Sequence, residues 1–529
     1  MAILGFQVIS TLIGASILSK IITKSTFIVG YLCKNLYHFM SPNDDIIMEL
    51  ANLSKVKPKS KKSKGQDSHS EEFFFPRETK IPLMRVKVKE FDISHLPMYT
   101  DLVWLCDFSF CAILIYAANE VFSSFGFSSS NSDMDENSSK SLLLKVVDTS
   151  KIRVNLSLVW LSITIFYSFL VLKKILGIFL KKPKTSNEKT LSPEAIIVLS
   201  VSFIFFILNF FFLTFDKKLL DFKLNQLHSS IAVNESIVPT TMKVIFTKEK
   251  TQIFLSLFGS LMSSLFIFPG MRFGRMFLDT MRFSSTGLIA KFFNILNFLF
   301  PLFIMLLWFV PFTNYFLPIF LSSCSVLVTS SGLTFLIKSI LTLIEWTKLE
   351  NLGSFRVSVT FVYLLLRLIM LKSNIQAYLE IARDTSEKIQ KEPGKISNFD
   401  FKKTINNIFC CFNLIVSQYI APLLISFCFL SLYKNCSGLS WMPCYALKQD
   451  RNETIPNFQE AIDKLVSSES DSYLDTIMFT RNHFYMILDS MRLQGHLLSD
   501  CIFGYLLWSS VMTWFIINIV GVLYYQYAD

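Results

Sequence analysis

The sequence predicts an all-α polytopic membrane protein, a bundle of about eight to nine transmembrane helices with added interfacial helices. Three observations carry that expectation. Of 529 residues, 52% are hydrophobic and 54 are Phe, far more than soluble domains of this length contain. The apolar residues fall in blocks about as long as the ~20 residues a helix needs to cross a bilayer. Within the blocks they run continuously, without period-two alternation, which favours helices over a β-barrel.

Nine blocks qualify: 2–19, 102–121, 156–172, 195–215, 253–269, 290–311, 354–372, 407–432 and 502–524. The first reads as a retained anchor rather than a cleaved signal peptide, because no positive region precedes it and Lys20 and Lys24 follow it. The stretch 315–347 is apolar, but Pro318, Ser-rich breaks and Lys338 divide it, so it reads as interfacial or re-entrant. Five regions follow: an N-terminal anchor or signal-like helix (1–40), a basic and partly disordered segment (41–100), the main bundle (101–432), a loop (433–500) and a last span with its tail (501–529). Within the second, KVKPKSKKSKG (55–65) is too polar to bury a core.

Lys and Arg set the orientation. They concentrate in 55–65, 173–189, 272–291 and 372–403, four alternate connections that fit one cytosolic side. The N-terminus then lies outside and the C-terminus in the cytosol, in a plasma or secretory-pathway membrane. The sequons at Asn137, Asn234, Asn435 and Asn452 fall on the outer side and are glycosylation candidates, whereas that at Asn52 dissents. The Lys-rich outer loop 216–252 also runs against the scheme.

No motif of a hydrolase, kinase, P-loop or zinc protease appears, and the six His are scattered. A non-enzymatic protein is expected, with no metal, no cofactor and no nucleic acid. Cys436 and Cys444 share the outer loop NCSGLSWMPC and form a possible disulfide, with ordinary thiols the alternative. Cys410 and Cys411 stand at the cytosolic entry of the eighth span, where acylation or an ordinary thiol pair is expected.

Ionisable and amide groups within spans are the remaining candidates, since a charge at the bilayer centre costs about 2.5–3.5 kcal/mol on insertion scales. Asp107 and Glu120 lie roughly 20 Å apart along the second span, so they do not form a carboxylate pair; they are either interfacial or line a cation path. Arg367 is expected to snorkel toward the headgroups near Lys372, or to pair with Asp107. Asn413 and Gln418 read as hydrogen-bond glue between helices, and Pro422 as a kink. In FPGMRFGRMFLDTMR (268–282), Arg272, Arg275, Asp279 and Arg282 fall within a sector of roughly 80° on a helix. FPG reads as the end of a span and the rest as a cytosolic interfacial helix, with Arg275 and Asp279 placed to pair.

Several blocks together carry a family resemblance. They include MAILGFQVISTLIGASILSKII, LVWLCDFSFCAILIYAANEV, FPGMRFGRMFLDTM, ILNFLFPLFIMLLWFVPFT, LLLRLIMLKSNIQAYLEIA, KEPGKIS, SQYIAPLL and the terminal LYYQY. In that order, over nearly the whole chain, they resemble the transmembrane protein 161 family. The stretch 317–350 departs from the pattern as an insertion, and 122–150 and 433–500 are unlike it. The resemblance implies a multi-pass membrane glycoprotein without enzymatic activity, associated with stress protection and with regulation of ion currents and excitability. It implies the lipid bilayer and other membrane proteins such as channels as partners. It also marks Asp107, Glu120, Arg272, Asp279, Arg367, Gln376, Gln418 and Pro422 as structural or functional positions. An ion channel or transporter using Asp107 and Glu120 is the alternative.

Overall fold

The computed structural model describes residues 27–51, 72–126, 157–181, 193–215, 219–233, 247–282, 287–316, 352–441 and 473–528, with isolated positions 16, 318 and 319. The chain opens with α1 (Phe27–Cys33), β1 (Tyr37–Met40), α2 (Asp44–Leu50), β2 (Phe74–Pro76), β3 (Met84–Lys87) and α3 (Glu90–Ser94). Long helices follow: α4 (Tyr99–Gly126), α5 (Ser157–Leu180) and α6 (Pro193–Thr214), then the short α7 (Leu224–Val233), and α8 (Lys248–Arg282) and α9 (Leu288–Leu306). After a π turn at Phe312–Phe316 come α10 (Leu352–Lys391), β4 (Lys395–Ser397), α11 (Asn398–Cys410), α12 (Phe412–Cys436) and α13 (Tyr473–Ala528).

Eight segments among the described residues are long and apolar enough to cross a membrane: Tyr99–Glu120, Leu158–Leu180, Ala195–Thr214, Lys248–Arg282, Leu288–Leu306, Leu352–Lys391, Asn398–Cys436 and Leu498–Tyr527. The all-α polytopic class therefore holds, and each of the eight overlaps an expected span. The ninth, 2–19, lies outside the described residues, as do the run 55–65 and most of 315–347.

Three expectations change. The segment after FPG is not a separate interfacial helix, because α8 runs unbroken through Pro269 to Arg282. Proline removes one backbone hydrogen bond, and helices in a bilayer tolerate it where neighbouring groups satisfy the freed carbonyl. At 35 residues α8 measures about 52 Å, and α10 at 40 residues about 60 Å, both longer than the ~30 Å hydrocarbon core. The span placed at 407–432 is broken at Cys411, which separates α11 from α12. The region 433–500 is not loop to its end, since α13 begins at Tyr473. Residues 72–100, in the segment expected to be basic and partly disordered, hold β2, β3 and α3.

Two compact units form, each from separate stretches of chain. The first comprises Met1–Ile175, Arg275–Lys291 and Met370–Leu424. It contains a small platform: β1 pairs antiparallel with β3 (Tyr37 opposite Lys87, Met40 opposite Met84) and β2 with β4 (Phe74 opposite Ser397, Pro76 opposite Lys395). Two-stranded ribbons are marginal alone. These are held by a core of Ile47, Phe75, Ile81, Ala382, Phe401 and Ile405, which joins α2 and β2 to the far end of α10 and to α11. The Ser397 hydroxyl caps α11 by accepting from Phe399 N at 3.2 Å. Asp44 accepts from Asn398 Nδ2 at 3.0 Å and pairs with Lys402 at 2.8 Å. Between the paired strands β2 and β4 lie six of the candidate spans among the described residues; an even number of crossings returns the chain to the same side of the bilayer.

The second unit comprises Leu176–Gly274, Phe292–Ile369 and Ile425–Asp529. Its interior holds most of the bundle's aromatic packing, including Phe222, Trp308, Tyr433, Tyr505, Trp508 and Trp514, all buried.

Candidate functional site: buried charge and amide groups in the bundle

Arg356 sits in the first turns of α10 with only 3% of its surface exposed. Its Nε donates to the Leu307 carbonyl at 2.9 Å and its Nη1 to Asp221 Oδ2 at 3.1 Å, while its guanidinium lies 4.6 Å from the Trp308 ring centre. Leu307 and Trp308 follow the end of α9, where a helix leaves carbonyls unsatisfied. Arginine takes one of them and the 219–221 segment another, Asp221 N donating to Trp308 O at 3.2 Å, while Leu219 O in return accepts from Val310 N at 2.9 Å. Two residues on, Lys223 adopts φ 59°, unusual for a side chain of its bulk, and its Nζ pairs with Asp500 Oδ2 at 2.8 Å. The Ser437 hydroxyl donates to the other Asp500 oxygen. Two cations and two carboxylates thus fasten one short segment to α10 and α13. Trp308 is packed between Phe222 and Tyr433, and a Cβ on Gly504 would meet it at 3.1 Å.

Arg367, three turns further along α10, turns its guanidinium into the protein rather than out to its surface. It is 1% exposed, with its guanidinium 3.7 Å from the Trp514 ring centre and 5.8 Å from that of Phe273. Aromatic faces stabilise a desolvated cation by up to about 2 kcal/mol. Those rings are aligned by a glycine seam between α8 and α13. A Cβ on Gly270 would lie 2.6 Å from Ile517 Cγ2, one on Gly274 would lie 2.8 Å from Asn518 O, and one on Gly521 would lie 2.8 Å from Met271 Cα. Gly270 and Gly274 have the four-residue spacing that lets membrane helices approach backbone to backbone. The spacing stands in FPGMRFGRM, where the charges drew attention instead.

Of the stripe itself, Arg275 Nε approaches Asp279 Oδ2 at 3.9 Å, Asp279 is buried, Arg272 is half-buried and Arg282 is exposed. Beside them the Thr280 hydroxyl reaches Asn374 Oδ1 at 3.4 Å, and Asn374 Nδ2 donates to the Tyr419 hydroxyl at 3.3 Å. From Arg275 on, the stripe therefore belongs to a helix end that is part of the first unit.

Asp107 and Glu120 both lie on α4 and are half-buried, and one carboxylate oxygen of Asp107 is buried without a hydrogen-bond partner among the described residues. Asn413 acts as glue, donating to Ile93 O at 3.0 Å. Gln418 does not: both its amide atoms are buried without a partner among the described residues. The same holds for all four amide atoms of Asn294 and Asn297, which are 0% and 1% exposed on one face of α9. That pair was missed, although its i, i+3 spacing in the apolar run FFNILNFLF was readable. Unpaired buried amides cost about 1–3 kcal/mol each, so such a face suits water or a small hydrogen-bonding group. Gln376 makes a two-way contact, accepting from Tyr37 N at 3.0 Å and donating to Tyr37 O at 3.3 Å.

Asn137, Asn234, Asn452 and Cys444 lie outside the described residues, so the Cys436–Cys444 pairing lies outside them too. Asn435 falls in the last turn of α12, half-buried, with its Nδ2 buried. Among the described residues no cluster of three or more His, Cys, Asp or Glu is gathered as metal ligands would be.

A protein-family model described as Predicted transmembrane protein 161AB matches residues 2–135 and 140–529. No solved structure matches the chain. The chain belongs to the transmembrane protein 161AB family.

Proposed function

From that membership we propose that this multi-pass membrane protein is a non-catalytic regulator or scaffold of other membrane proteins, influencing ion currents or the response to cellular stress. The observation that supports the reading is the platform. Chain segments from 37 to 410 combine on the extension of α10 into a small folded surface, and it displays Phe74 and Met84 to solvent. Exposed aromatic residues on a rigid support are suited to holding a protein partner. The basic residues of the connections support a cytosolic position for this surface, with the N-terminus outside and the C-terminus cytosolic, as part of the same proposal. Glycans on Asn137, Asn234 and Asn452 belong to the same proposal.

The test joins two measurements. Purified protein in liposomes is expected to pass no ions under potassium, sodium, calcium or chloride gradients. Cells lacking the protein should show altered native currents that the wild type restores and Phe74→Asp with Met84→Asp does not. Ion flux from liposomes, reduced by Asp107→Asn, would instead establish transport, the reading favoured by the unmatched Asp107 oxygen.

A further inference from the structure

The junction of α11 and α12 holds two adjacent cysteines, and they differ from the others among the described residues. Cys410 and Cys411 are exposed, whereas Cys33, Cys106, Cys111, Cys428 and Cys501 are buried and Cys436 is half-buried. Cys410 ends α11, and the Cys411 amide still donates to Asn407 O at 3.3 Å before Phe412 opens the next span. The last turn of α11 is pinned: the Tyr378 hydroxyl donates to Ile408 O at 2.8 Å, and His38 stacks on Phe409 at 4.1 Å. The thiols are therefore presented by fixed backbone.

The rest of the exposed face agrees. Phe399, Lys403, Asn406 and Cys410 are all exposed and fall within about 60° on α11, opposite buried Phe401 and Ile405. Lys403 lies 6.0 Å from the Phe399 ring centre. A stripe of one aromatic ring, one lysine and a terminal cysteine, running into a membrane span, has the chemistry of the headgroup layer: the ring dips toward acyl chains and the ammonium toward phosphates.

We propose that Cys410, and secondarily Cys411, is a site of S-acylation by a long-chain fatty acid. The cysteine thiolate attacks the thioester carbonyl of a long-chain acyl-coenzyme A. The new sulfur–carbonyl bond forms as the old one breaks, and coenzyme A departs as the thiol after taking up a proton; no redox change occurs. The attached chain enters the bilayer where α12 enters it and holds α11 flat against the headgroups. The reading rests on the cytosolic placement of this junction proposed above, because acyl-coenzyme A is a cytosolic donor.

Full-length protein from cells is blocked at its thiols, treated with or without hydroxylamine, and tagged at released thiols with a maleimide polymer. Wild type should shift in mass only after hydroxylamine, and Cys410→Ser with Cys411→Ser should lose the shift while Cys436→Ser keeps it. No hydroxylamine-dependent shift in wild type from cells treated with a thioesterase inhibitor would overturn the proposal, as would an undiminished shift in the double variant. A membrane-impermeant maleimide added after hydroxylamine separates the two ways of failing. Labelling of these thiols only after the plasma membrane is selectively opened supports the cytosolic placement. Labelling in intact cells shows that the orientation is wrong and removes the acylation proposal with it.

Discussion

Asp44 and Asp221 each hold a cation at close range, Lys402 at 2.8 Å and Arg356 at 3.1 Å, yet their surroundings differ. In the platform both partners are partly wet, with side chains 29% and 25% exposed for Lys402 and Asp44. In the bundle the cation is enclosed at 4% and only the carboxylate reaches solvent, at 38%. A wet pair is worth at most about 1 kcal/mol, and losing it leaves two hydrated ions. An enclosed guanidinium that loses its carboxylate has no water to replace it. The platform is thus a surface that small perturbations can adjust, whereas the bundle interior is a set of fastenings that hold or fail.

The largest expected effect tests the fastening that uses no charge. Gly274→Val adds carbon where a Cβ already comes within 2.9 Å of the Val522 nitrogen, so α8 and α13 must separate. Overpacking of this kind costs about 1–3 kcal/mol, and backbone atoms on the far side leave no flexible neighbour to yield. Loss of monodisperse protein in detergent is the expected outcome, with Trp514 and Arg367 losing their alignment. Gly177→Ala, where nothing lies within 4 Å, should leave the protein unchanged. A Gly274→Val protein as stable as wild type would break the contrast, because the seam would then be adjustable too.

Next in size is Asp221→Ala. It strands Arg356, and because Asp221 is partly exposed the cost falls below the 3–5 kcal/mol of a wholly buried pair, at about 2 kcal/mol. Thermal unfolding in detergent should show it. Adding Arg356→Met should recover part of the loss, since an apolar side chain of similar length asks for no partner. No recovery would show that the Leu307 carbonyl contact and the Trp308 face matter more than the charge pair.

The spans were legible in the sequence because a bilayer demands continuous apolar runs, and eight of them appear where those runs lie. The platform was not legible. Its strands are three or four residues long, too short to show alternation, and β2 finds its partner more than 300 residues away. Arg356 was passed over because a basic residue near a span end reads as a topology signal, and nothing local to FRVSV points to Asp221. Arg367 was noticed but its surroundings were not: nearness in sequence to Lys372 pointed to the headgroups, while Trp514 and Phe273 come from helices that only folding brings near.

The smallest effect belongs to the platform and separates the two regions by pH. His38 is 5% exposed and stacked on Phe409; burial lowers its pKa below the usual 6.5, although the charge of Asp92 acts the other way. A depressed folded pKa means that the unfolded chain binds the proton first. Stability from neutral His38 is therefore complete above about pH 6.5 and is lost as pH falls toward the lowered folded value. Asp44 follows the same sign in a lower window. Burial raises its pKa, but hydrogen bonds from Lys402 and Asn398 and the lysine charge outweigh it, so its contribution fades only below the ordinary 3.8. Between pH 7 and 5 the acid sensitivity should thus be that of His38. Hydrogen exchange at Tyr37–Met40 should quicken over that range in wild type and stay level in His38→Phe, which keeps a ring against Phe409. Peptides around Trp514 should not respond, because aromatic faces carry no titratable charge there. Equal quickening in both regions would mean that the platform and the interior open as one, and the distinction between an adjustable surface and a locked core would not survive.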